Sequence, residues 1–123
     1  QNAAPEHAMQ VYSRRLVGVI ACAEEEKETG SKLFKEQRLV LALARYLNAC
    51  ELLVILDFAK RRAMTPSMTA MGMDDDSWAA MQQEVRASLS PESLGRAAAA
   101  LAACKLNAAQ CYLGLKAWTK AAG

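Results

Sequence analysis

Leu39–Phe58 reads LVLALARYLNACELLVILDF, and no other run in the chain is so densely apolar for so long. Its length would suit a membrane span, which takes ~20 mostly apolar residues. Arg45, Asn48 and Glu51 fall in mid-segment, where polar and charged groups are costly in lipid. The stretch therefore reads as a helix wrapped by other helices, apolar nearly all round. Arg38, Arg45 and Asn48 supply its narrow polar stripe. Leu47 and Val54 share a face with Cys50 by their spacing and are expected in the core.

Around this run the composition points the same way. The 123 residues are rich in Ala and Leu and poor in Gly, Pro and aromatics, which favours helix over sheet and one domain, 1–123. A formal charge of +2 is too small to imply nucleic acid or an anionic membrane surface. Four cysteines, an even number, and the mature-looking start Gln1-Asn2-Ala3-Ala4 lead to the expectation of a periplasmic protein exported by a removed signal peptide.

A first helix is expected from Pro5 to about Glu28, carrying Met9, Tyr12, Leu16, Val19, Ile20 and Ala23 at helical spacing. Glu24–Glu28 reads as a solvated end, Gly30 as the stop and Ser31 as the cap of a second helix, Lys32 to about Arg62. Lys60, Arg61 and Arg62 complement the dipole at its end. The irregular stretch Ala63–Asp76 holds Pro66, Gly72 and four methionines. One of Asp74, Asp75 and Asp76 caps a short third helix, Ser77–Leu89. Ser90-Pro91-Glu92 is a strong start signal for a fourth helix reaching about Lys120. Its seam Leu94, Ala97, Leu101, Cys104, Ala108, Cys111, Leu115, Trp118 steps alternately by three and four. The expected fold is all-α: a four-helix bundle, up-down-up-down, with a short third helix and disulfides.

Helix geometry limits those disulfides. Cys104 and Cys111 stand ~10 Å apart along one helix, beyond the ~7 Å limit for a bridge. Cys22 and Cys50 lie at different heights of a hairpin that turns at Gly30. With the fourth helix parallel to the second, the expected pairs are Cys22–Cys104 and Cys50–Cys111.

No catalytic constellation is visible. His7 is the only histidine, and phosphate-loop, dinucleotide, zinc-protease and haem-attachment motifs are absent. No metal or other cofactor is expected; a copper or small-ligand carrier is the weakest reading, resting on thioethers at Met68, Met71 and Met73. The sequence points to a protein-binding surface on the long link instead. Met68, Met71 and Met73 adapt to a partner's shape, Asp74 and Asp75 add charge, and Trp78 supplies an anchor. A second copy of the chain is also an admissible partner.

The start Gln1–Ala4, the cysteines Cys22, Cys50, Cys104 and Cys111 and the exposed-looking link Ala63–Asp76 together resemble the periplasmic immunity proteins of bacterial type VI secretion. The resemblance lies in architecture and carries over no functional residue. It implies a small helical inhibitor that plugs the active site of a partner toxin, a peptidoglycan amidase. Pilotins, which direct secretins, look similar in size and helicity. They commonly carry a lipidated N-terminal cysteine, which this sequence lacks. A pilotin-like or chaperone-like assembly factor is the alternative.

Overall fold

The computed structural model describes residues 5–57 and 74–122, with side chains except at 5–9, 75 and 118–122. Its regular structure there is entirely helical: α1 (Pro5–Lys35), α2 (Leu39–Leu52), a single 3-10 turn (Val54–Leu56), α3 (Asp75–Ser88) and α4 (Pro91–Ala122). The expected all-α helical bundle is the observed one, and none of the described helices is long and apolar enough to cross a membrane.

Gly30 does not stop α1. The helix runs through it, and the Gly30 backbone lies against the ring of Tyr46 on α2. A glycine costs ~1 kcal/mol inside a helix relative to alanine. Here the missing side chain makes room for a Tyr46 ring that is almost fully buried and hydrogen-bonds through its hydroxyl to Ser31 Oγ at 3.2 Å. The stop comes seven residues later. Gln37 takes φ 64°, its N–H donates to the Phe34 carbonyl, and the Arg38 N–H donates to the Leu33 carbonyl. That bonding pair is the Schellman arrangement, with glutamine in the left-handed place usually taken by glycine.

α2 is therefore much shorter than the apolar run suggested, 14 residues. Beyond it the 3-10 turn buries Leu53, Ile55, Leu56 and Asp57. Gln82 of α3 closes this end, its Nε2 donating to the carbonyls of Ile55 and Asp57 at 3.2 Å each. Asp57 Oδ2 meets Lys105 Nζ of α4 at 2.7 Å. Both caps expected for the later helices form: Ser77 N–H donates to Asp74 Oδ1 at 2.7 Å, and Ser93 N–H to Ser90 Oγ at 3.1 Å.

Two contacts fix the topology. Asp57, just past α2, pairs with Lys105, while Leu39, which opens α2, packs on Gly114. α4 thus runs antiparallel to α2 and parallel to α1, contrary to the up-down-up-down expectation. The reason is α3. It does not form a fourth full-length column but packs Trp78, Gln82, Val85 and Leu89 under the end where α2 finishes, against the 3-10 turn and the first half of α1. α1, α2 and α4 pack side by side as the bundle, with α3 beneath it.

The α4 seam behaves as its spacing required. Ala97, Leu101, Cys104, Ala108 and Cys111 are buried, with Leu94 and Leu115 half-buried. Leu47 does not. It is 43% exposed, because α2 packs through Ala42, Tyr46, Ala49 and Leu53 and leaves its opposite face uncovered.

The reversed direction of α4 also undoes the expected disulfides. All four cysteines are thiols. Cys22 is exposed on α1, whereas Cys104 is fully buried. Antiparallel packing brings Cys104, not Cys111, to the height of Cys50. Burial pushes the Cys104 thiol up to about 11, and the neighbouring Cys50 adds to the rise.

Candidate docking site

The surface expected to bind a partner divides on inspection. Met68, Met71 and Met73 lie outside the described residues, as does the side chain of Asp75. Asp74 is occupied as the α3 cap, and its bond from Ser77 N–H holds its carboxyl below the usual range. Trp78 is 3% exposed and packs in the core, its Nε1 without a hydrogen-bond partner among the described residues. A buried indole cannot anchor a partner without leaving the core, so Trp78 is a structural residue in this fold.

Exposed apolar side chains gather elsewhere. Of the nine large ones among the described residues, only Tyr12 and Val17 lie on α1 and none on α3. Val40, Leu41, Leu47 and Leu52 are on α2; Leu106, Tyr112 and Leu113 are on α4. Most of the exposed apolar side chains thus belong to the outer faces of α2 and α4. The cause is visible in both sequences. α2 has one covered face but carries enough Leu and Val for nearly its whole circumference. α4 repeats apolar residues on its outer side as well, through Ala99, Ala102, Leu106, Ala109 and Leu113, all exposed.

This surface becomes concave at one end. Where Leu39 presses on Gly114, a cleft of about 550 Å³ is lined by Gln37, Arg38, Leu39, Val40, Leu41 and Leu115. Val40 is 65% exposed at its edge, and Leu113, 67% exposed, belongs to the same end of α4. A cleft of that size lies in the range of ligand and side-chain sites, which are mostly apolar with a few polar groups.

Its electrostatics are lopsided. Positions 29–44 and 106–117 contain the cations Lys32, Lys35, Arg38 and Lys116 and a single acid, Glu36. Arg38 reaches Glu36 only at 3.9 Å, with both side chains more than half exposed, so the pair does little to neutralise the rim. Arg38 stands at the N-cap of α2 without making a capping bond, and the first turn carries no acid. The opposite end of the molecule is mixed, with Asp74, Asp76, Glu84 and Glu92 beside Arg14, Arg15 and Arg86.

Two other clefts are less suited to a partner. One of about 310 Å³ lies where α1 meets the α3–α4 joint, and its hydroxyls already satisfy one another: Ser13 Oγ donates to Ser88 Oγ, Ser88 Oγ to the Val85 carbonyl, and Ser90 Oγ to Ser93 Oγ. The other, about 540 Å³, is bounded by Tyr12, Ser77, Ala80, Met81 and Glu84. It offers only Tyr12 and Met81 as large apolar groups. Among the described residues, no three His, Cys, Asp or Glu side chains gather to hold a metal ion.

No family model, curated protein or solved structure matches this chain.

The sequence contains a signal for the cleft. A helix apolar on all sides requires neighbours on all sides, and among the described residues α2 packs mainly on α1 and α4. Val40 and Leu41, in the first turn of α2, are the part of that apolar run left uncovered beside the cleft.

Proposed function

We propose that this chain is a non-enzymatic binding protein of the inhibitor class, an immunity-type protein that blocks a partner enzyme such as a peptidoglycan hydrolase. It docks through the cleft end of α2 and α4. The observation that carries this reading is a cleft that no part of the described chain fills, with exposed Val40 and Leu41 in its lining and exposed Tyr112 and Leu113 on the nearby stretch of α4. Apolar surface collected in one place marks interaction sites more often than the same residues scattered singly. The periplasm goes with this reading through the architectural resemblance alone, because the four cysteines are thiols in this fold.

A concave receiving surface also suits an assembly chaperone or pilotin-like carrier, since amphipathic helices bind by laying an apolar face into a groove. The identity of the partner separates the two readings. Capture of the native complex, followed by reconstitution from purified components, is the test. An immunity-type protein abolishes its partner's hydrolytic activity at one-to-one stoichiometry. A carrier leaves no activity to inhibit and delivers a secretion component. In either case a Val40→Asp, Leu41→Asp variant that melts like the parent should lose at least about a hundredfold in affinity, ~2.7 kcal/mol. Unchanged affinity would move the docking face elsewhere.

A further inference from the structure

The geometry points to one kind of occupant for this cleft: an acidic amphipathic segment of the partner, its apolar side chains in the cleft and its carboxylates on the surrounding cations. The inference rests on the docking reading above and adds the chemistry of what docks.

The apolar part follows from the lining. Leu39, Val40, Leu41 and Leu115 form the walls, and Gln37 and Arg38 are the polar groups at the cleft. A polar loop would gain little by entering it. A row of apolar side chains one helical turn apart would bury surface on both partners at roughly 25 cal/mol per Å².

The charge follows from the rim. Arg38 lines the cleft itself, Lys116 directly follows the lining residue Leu115, and Lys32 and Lys35 sit in the last turn of α1 just before the turn at Gln37. Glu36 is the one acid among them, and its contact with Arg38 is long and solvated. No ion pair among the described residues occupies Lys32, Lys35 or Lys116. A basic segment would meet Arg38 at the cleft, with Lys116 next to the lining residue Leu115 and Lys35 two residues before Gln37. An acidic one finds them available, and complementary charge raises both on-rate and discrimination against wrong partners. Lys and Arg stems also cover apolar surface while keeping their charged heads in water, so the rim can close over a bound segment without burying its charges.

The test uses two synthetic helical peptides with the same leucine seam at i, i+3, i+4 and i+7, one flanked by glutamates and one by lysines. Binding to the whole chain is followed by fluorescence anisotropy. The glutamate peptide should bind at least about tenfold tighter, and the gap should shrink as salt shortens the Debye length from ~10 Å at 0.1 M to ~3 Å at 1 M. Arg38→Glu with Lys116→Glu should reverse the preference. Leu41→Ser, a mild change at an exposed site, should weaken both peptides, and Leu106→Ser, farther along α4, should weaken neither. Equal binding of the two peptides overturns the charge rule while leaving an apolar docking cleft standing. Failure of both to bind, or binding indifferent to Leu41→Ser, overturns the cleft and the docking reading with it.

Discussion

Tyr46 packs its ring directly on the Gly30 backbone: a Cβ placed on Gly30 would lie 2.9 Å from Tyr46 Cε1 and 3.1 Å from two further ring carbons. The neighbour is a rigid ring that is itself almost fully buried. Gly30→Ala should therefore lose more by overpacking, ~1–3 kcal/mol, than it gains in helix propensity, ~1 kcal/mol. Gly18, also inside α1, has nothing within 4 Å of the corresponding position. Gly18→Ala should stabilise by up to ~1 kcal/mol. Urea titration of both variants checks the pair, and a stabilising Gly30→Ala would mean that α1 and α2 are farther apart than described.

The ion pair between Asp57 and Lys105 ties the end of α2 to the middle of α4 at 2.7 Å, with the carboxylate buried and the lysine about one-third exposed. Removing the lysine leaves a buried carboxylate alone. Lys105→Ala should cost about 3 kcal/mol, the lower end of the range for broken buried pairs. Asp57→Asn in the same background should recover part of that loss. A double-mutant cycle by chemical denaturation reads the coupling; additive losses would show that the two groups do not interact.

Acid should weaken the fold through Glu24. The Arg96 guanidinium hydrogen-bonded to it holds its carboxyl below the ordinary value of 4.5. A depressed folded value means that the stabilisation is complete above pH 4.5 and disappears as pH falls below it, through the folded value. Asp74 adds a decline of the same sign below 3.8. The melting temperature of Glu24→Gln should fall less steeply than the parent's below pH 4.5. Parallel curves would mean that the carboxylate is as solvated in the native state as in the unfolded chain.

The thiols should differ sharply in reactivity. Only the thiolate attacks an alkylating agent, and with a value of about 11 Cys104 is ionised to roughly one part in a thousand at pH 8. Burial raises Cys111 as well, while Cys22 is exposed. Timed alkylation of the native protein should label Cys22 first and spare Cys104 and Cys111 until unfolding. A native disulfide containing Cys104 would contradict the reduced core described here.

Reading the sequence worked where a local rule decides. Helix over sheet, the Ser90 cap and the α4 seam from Ala97 to Cys111 follow from propensity, capping chemistry and period. It failed where a residue's role depends on what lies across from it. Gly30 signals a helix end by its own chemistry and is a contact surface only because Tyr46 arrives from α2. Gln37, which does end α1, carries no such signal. Trp78 suits an anchor by composition and is buried only because α3 tucks under α2. The candidate site was legible as an excess of apolar residues in Leu39–Phe58. Its location was not, because which part of the excess stays uncovered depends on the direction of α4.

The account stands or falls on where a partner touches the chain. Hydrogen–deuterium exchange of the reconstituted complex, compared with the chain alone, measures this directly. New protection is expected at 37–43 and 110–117, the start of α2 and the stretch of α4 beside it. Protection confined to 74–84 and the first half of α1, with no change at 37–43, would contradict it.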